Sequence, residues 1–217
     1  MGRLGLALGR SGLAGGSSAV YNPSTVTYLS GTQQRIYAFA QADNGHLVVN
    51  YWDGFAWHWA DQGLPNASTG VYTPNAITYL SGTQRIYVFA QASSGHLVVN
   101  YWDGSAWHWA DQGLSAGTST VYSPSAITYL NGTQQRIYVF AQGSNAHLVV
   151  NYWDGFAWHW ADQGLPSGSA AVYYPSAMTY LNGSTQLIYV FGEANTNHLV
   201  VNYWTGSAWF WADQGSL

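Results

Sequence analysis

Cysteine is absent from the chain, which removes disulfides, thiolate metal sites and thiol chemistry together. Lysine is absent as well. The five cations are all Arg, two of them within the first ten residues, and that is too few to neutralise a phosphate backbone, so nucleic acid is not an expected partner. Glu occurs once, at Glu193, and only 6% of the 217 residues are charged, against about 25% in an ordinary soluble domain. No apolar run approaches the roughly 18 residues of a membrane helix, so membrane insertion by a helix is not expected either. The place of charge is taken by 12 Trp, 17 Tyr and 25 Gly, with many Ser, Thr, Asn and Gln. Such a chain suits neutral, hydrogen-bonding ligands better than ionic ones.

The sequence repeats itself. HLVVNYW begins at His46, His96, His147 and His198, always in the order VYxPxxxTYL, a Gly-containing turn, IYxF, HLVVNYW, AWxWADQG. The copies span about 20–70, 71–120, 121–171 and 172–217, with residues 1–19 read as a flexible extension or, less simply, an atypical targeting segment. The compartment, secreted or cytoplasmic, stays open. Each copy reads as four strands, because short aromatic and β-branched runs alternate with turn signals. In the second copy these are Ala76–Leu80, Arg85–Gln91, His96–Trp102 and Ala106–Asp111, with Asp103-Gly104 as a tight-turn signal. Leu97, Val99 and Tyr101 fall on one face of the third strand and Val98, Asn100 and Trp102 on the other, so both faces are largely apolar and need cover. The expected fold is all-β: a β-propeller of four-stranded antiparallel blades, four blades per chain. Four copies can close alone, the expectation adopted, or pair across a two-fold axis as an eight-bladed homo-oligomer.

The run from Ala76 to Trp109, with RIYVF, HLVVNYW and the WDGSAW turn, resembles the blade of bacterial seven-bladed PLL-like lectins and, less closely, of six-bladed fucose lectins. The resemblance implies sugar pockets between adjacent blades. It also implies that the Trp before the turn and the Trp after it contact sugar: Trp52 and Trp57, Trp102 and Trp107, Trp153 and Trp158, Trp204 and Trp209. The Arg and Glu with which fucose lectins grip hydroxyls fall on Tyr37 and Val49 here, so sugar binding is implied without that clamp.

The residues themselves support the same chemistry. An indole offers an apolar, electron-rich face to sugar C–H groups, and Asn50, Asn100, Asn151 and Asn202, with His108 and Asp111 of the second copy, offer hydrogen bonds. The competing reading of any one Trp is packing between blades. His46, His96, His147 and His198 read either as an axial ring for a metal or anion or, more simply, as strand-end residues bonded to a neighbouring loop. No cofactor, metal or catalytic residue is assigned. A glycosidase needs two carboxylates near one bond or an assisted Tyr, and a fourfold-repeated constellation suits binding better. The expectation is a multivalent, non-catalytic carbohydrate-binding protein for glycans or glycoconjugates, with a protein–protein scaffold as the alternative and a propeller glycosidase behind it.

Overall fold

Aromatic and β-branched residues alternate through every copy, and a computed structural model, which describes residues 16–216, turns each run into a strand. The sixteen strands are β1 Val20–Ser30, β2 Gln33–Ala42, β3 Leu47–Trp52, β4 Trp57–Gly63, β5 Val71–Ser81, β6 Thr83–Ala92, β7 Leu97–Trp102 and β8 Trp107–Gly113 in the first half. The second half holds β9 Val121–Asn131, β10 Gln134–Gly143, β11 Leu148–Trp153, β12 Trp158–Gly164, β13 Val172–Asn182, β14 Thr185–Ala194, β15 Leu199–Trp204 and β16 Trp209–Gly215. They form four antiparallel meanders, each of four strands in chain order. The architecture is an all-β propeller with four blades in the chain. Of the extension expected over 1–19, residues 1–15 lie outside the described residues. Ser18 ties the remainder to the first blade by donating its N–H and hydroxyl to Asp43.

The first strand of each blade is longer than the sequence pattern predicts. It begins at Val71 rather than Ala76 in the second blade and passes through Pro74 by a β-bulge between Tyr72 and Asn75. Thr73 takes a φ of 47° there, and Asn22, Ser123 and Tyr174 do the same in the other blades. A bulge is where a strand tolerates Pro, because the missing N–H leaves no ladder bond unmade. The four bulges line one shared opening at the Pro23, Pro74, Pro124 and Pro175 segments.

The Asp-Gly turn is one residue longer than the strand bounds read from sequence, because the fourth strand of the second blade begins at Trp107 rather than Ala106. Asp103 to Ala106 make a four-residue connection in which Asp103 accepts the N–H groups of Ser105 and Ala106 at 2.7 and 2.9 Å, an Asx turn, while Gly104 supplies a φ of 107°.

Strand parity decides the packing. Tyr37, Phe39, Val49 and Tyr51 share the forward face of the first blade, toward the next copy, and Ile36, Ala38, Asn50 and Trp52 share its rear face. At the first joint Phe39, Leu47 and Val49 pack on Ile86, Val88 and Val98 of the second blade, and the same positions meet at the second and third joints. Phe39, Phe89 and Phe140 are wholly buried there. Each joint is also bolted by hydrogen bonds. Trp109, Trp160 and Trp211 donate their indole N–H to the carbonyls of Gln62, Gln112 and Gln163 in the preceding blade, at 2.9, 2.7 and 2.8 Å. No apolar cluster of the described residues joins the fourth blade to the first, so the expectation of self-closure is not met. On the rear face of the first blade Ala40, Ala42 and Val48 are buried with Trp59 packed on them, while Ile36 and Val20 are exposed. On the forward face of the last Val201 is buried, while Leu199 and Tyr180 are exposed.

Phe89→Ala opens a cavity in the middle joint and is expected to cost about 3–5 kcal/mol. Trp160→Phe, which removes only the bolt to Gln112, is expected to cost about 1 kcal/mol. Urea titration of the two variants, followed by circular dichroism, checks both values and their order.

Candidate functional site

The hairpin between the third and fourth strands places two indoles side by side across the ladder. Trp102 pairs with Trp107 in register, their ring centres 5.8 Å apart and tilted by 50°, and the other copies repeat the pair at Trp52/Trp57, Trp153/Trp158 and Trp204/Trp209. Trp107 sets its edge on Phe39 of the preceding blade, as Trp158 does on Phe89 and Trp209 on Phe140. These pairs are therefore part of the joint and also open at its margin. At the first joint Trp102 and Trp107 form one wall of a cleft of about 270 Å³, whose other wall is Arg35, Tyr37, Val49, Tyr51, Ala60 and Gln62. The opposite wall is an aromatic ladder: Tyr37 stacks on Tyr51 at 5.5 Å, and Tyr51 meets the His58 ring at 5.2 Å. Trp52 and Trp57 lie on the rear face of the first blade, which no other described blade packs against, and Trp57 is exposed.

Arg35 is the residue the sequence argument passed over. It stands two residues before the Tyr37 position at which the resemblance places an Arg, on the same face of β2, and reaches the cleft. Its Nε is buried without a hydrogen-bond partner, as are those of Arg85 and Arg136 at the same position of the next two blades. Burial raises the Tyr37 hydroxyl above its ordinary value, and the neighbouring Arg35 opposes that shift. No carboxylate lines the cleft. The signal was present in the sequence: in a chain with five cations, three occupy one repeat position, and the fourth copy holds Leu187 there.

The Asn series lies elsewhere. Asn100, Asn151 and Asn202 are buried on the rear face of the third strand, donating to the backbone carbonyls of His108, His159 and Phe210 at 3.3–3.4 Å, and Asn100 does not line the cleft of the first joint. Asn50 makes the same bond to His58 in the first blade. Period-2 alternation puts Asn beside Trp102 on one face, but the Asn sits deeper in the joint, where the two sheets meet.

The first His series does not form an axial ring. His46, His96, His147 and His198 each pair through Nδ1 with an Asp of the adjacent strand, Asp61, Asp111, Asp162 and Asp213, at 2.7–2.9 Å. Among the described residues no group of three or more His, Asp or Glu side chains is placed to hold a metal ion. The second series, His58, His108 and His159, pairs through Nε2 with the turn residues Asp53, Asp103 and Asp154. In the last copy both partners change together, to Phe210 and Thr205, and Phe210 keeps the stack on Tyr203.

No family model matches the sequence, and no curated protein matches it. Solved structures do. A triple Arg-to-Ala mutant of AofleA from Arthrobotrys oligospora superposes with a TM-score of 0.69 at 16% identity, over 89% of this chain and 56% of that one. SapL1 lectin in complex with α-methyl fucoside gives 0.63 at 18% identity, over 90% and 63%. The six-bladed fungal lectin of Aleuria aurantia, described with a fucose recognition mode, gives 0.63 at 20% identity, over 90% and 61%. The chain thus spans less than two thirds of these neighbours, and at such identities the likeness establishes the propeller fold.

The turn carboxylates provide a pH test. The backbone N–H of Ala56, then that of Phe55, pushes Asp53 down to about 2 from an ordinary value of 3.8. Ala157 and Phe156 do the same for Asp154, and Asp103 is lowered by Ala106 and Ser105. A depressed native value means that this stabilisation is complete above about pH 4 and is lost as pH falls through about 2. The thermal midpoint is therefore expected to fall between pH 4 and pH 2, and the Asp53→Asn, Asp103→Asn, Asp154→Asn triple variant to show a shallower fall over that window. Scanning calorimetry at half-unit pH steps measures both.

Proposed function

We propose that the protein is a multivalent, non-catalytic carbohydrate-binding protein whose sugar sites lie in the clefts between adjacent blades. The observation that carries this is the first cleft: a pair of tilted indoles faces an Arg whose buried Nε has no partner, with a Gln side chain alongside. A pyranose has C–H groups on one face and hydroxyls round its rim. In this reading the C–H face rests on Trp102 and Trp107, and the hydroxyl oxygens accept from Arg35 and the amide of Gln62. Arg85 with Trp153 and Trp158, and Arg136 with Trp204 and Trp209, occupy the equivalent positions at the next two joints. Three sites per chain follow, rather than one for each Trp pair. The Asn50, Asn100, Asn151 and Asn202 amides hold the hairpins that carry the indoles rather than the sugar.

Binding rather than turnover is supported by the lining of the cleft, which offers neither the carboxylate pair of a glycosidase nor an acid beside Tyr37. Fucosides are the first ligands to try, because SapL1 is described in complex with α-methyl fucoside and the Aleuria aurantia lectin with a fucose recognition mode. Shallow sites of this kind hold single sugars near millimolar, about −4 kcal/mol, and retention comes from several sites meeting one glycan-bearing surface.

A glycan array with the full chain, followed by calorimetry with the best monosaccharide, tests the reading. The triple variant Arg35→Leu, Arg85→Leu, Arg136→Leu copies the residue that the fourth blade already tolerates. It is expected to fold and to lose about 10- to 100-fold in affinity, the worth of a charge-assisted hydrogen bond. Absence of binding to every sugar by the unaltered chain would sink the proposal, and so would an unchanged affinity in the triple variant.

A further inference from the structure

The three joints in the chain obey one rule: a forward face packs on the rear face of the next blade. Among the described residues one face of each kind meets no neighbouring blade. On the rear face of the first blade Ile36 is 40% exposed, where Ile86, Ile137 and Ile188 are at most 1% exposed, and Val20 is 38% exposed where Val71, Val121 and Val172 are buried. On the forward face of the fourth, Leu199 is 49% exposed where Leu47, Leu97 and Leu148 are buried, and Tyr180 is 53% exposed where Tyr79 and Tyr129 are below 9%. These residues have the same types, at the same repeat positions, as those that fill the three joints.

The polar complement is unused in the same way. The bolt from Trp109 to Gln62 recurs at each joint, leaving the Trp59 indole N–H and the Gln214 carbonyl without these counterparts among the described residues. Ala76, Ala126 and Ala177 donate their backbone N–H to Ser24, Asn75 and Ser125 of the preceding blade, leaving Thr25 and Ser176. Leu29, Leu80 and Leu130 donate theirs to Gln84, Gln135 and Gln186 of the following blade, leaving Leu181 and Gln34.

We infer that two copies of this chain join head to tail, the fourth blade of each packing on the first blade of the other, to close an eight-bladed ring. Each unused donor then meets the acceptor that its equivalents meet inside the chain. The number two follows from geometry, since propellers close with about four to eight blades and three copies would bring twelve. A repeated forward-to-rear contact ends only where the rotation closes, and at two copies it closes as a two-fold ring. Two features of the last copy enter the new joint: Leu187, which replaces the Arg of the other clefts, and Glu193 at the rim, which replaces Gln41, Gln91 and Gln142. The new clefts therefore lack the guanidinium, and the ring has six Arg-bearing clefts among eight joints. The pairing itself is independent of the sugar-binding reading.

Light scattering after size-exclusion chromatography of the full chain at micromolar concentration is expected to read twice the 23.6 kDa of one chain. A one-chain mass, or an open series of larger assemblies, overturns the inference. Ile36→Arg and Leu199→Glu, each alone, are expected to give single chains with unchanged β-sheet circular dichroism. Mixing the two variants is expected to restore a two-chain species, because the mixed pair keeps one unaltered joint and sets Arg against Glu in the other. A two-chain mass that survives both substitutions, or one that is lost and does not return on mixing, overturns head-to-tail pairing. If Ile36→Arg does not fold, Val20→Arg on the same uncovered face serves in its place.

Discussion

A four-stranded sheet with apolar side chains on both faces cannot stand in water, and the rest of this structure depends on how that constraint is met. Each blade is covered by its neighbours, forward face on rear face, and the joint between them is the unit of stability. Phe and Val fill its centre. Trp109, Trp160 and Trp211 fix its register through carbonyls of the preceding blade. The same joint, at its margin, opens into the cleft that carries the proposed function.

That arrangement explains why three Trp per copy are not redundant. In the last three copies the third is a bolt, and its indole N–H is committed to backbone. The first two are partly buried by the previous blade and still border open space, so one pair of rings serves packing and the cleft together. A site built in this way is rigid, because its walls are held by two sheets and a ladder of stacked rings. Its economy of charge follows from the same burial: a cation placed between sheets is tolerated only where its stem packs and its head reaches the margin, as Arg35 does.

The fourth copy departs from the others in linked pairs. Loss of the turn Asp at Thr205 accompanies loss of its His at Phe210, so neither partner is left as an orphan charge. Loss of the cleft Arg falls at Leu187, which is buried on the forward face of the last blade, where no further described blade follows. Both changes leave the stacking core intact, since Phe210 replaces the imidazole against Tyr203. The His and Asp residues of the repeat thus act locally, each pair within its own blade.

The repeat, the four strands per copy and the alternation of faces were legible from sequence, because they rest on periodicity and turn chemistry that each copy states again. Leu97 and Val98 could be assigned to opposite faces for that reason alone. The passage of the first strand through Pro74 was not legible, since it depends on a bulge whose φ is set by the neighbouring strand. The Asn100 series was read as offering hydrogen bonds to a sugar because it lies beside Trp102, and sequence parity carries no information about depth. Arg35 was visible as a repeated rare residue, yet its role needed the next blade to form the opposite wall. Local chemistry determined the blade. Only the tertiary structure, by deciding which face meets which, settled that Trp and Arg from successive copies share a cleft and that, among the described residues, two complementary faces meet no further blade.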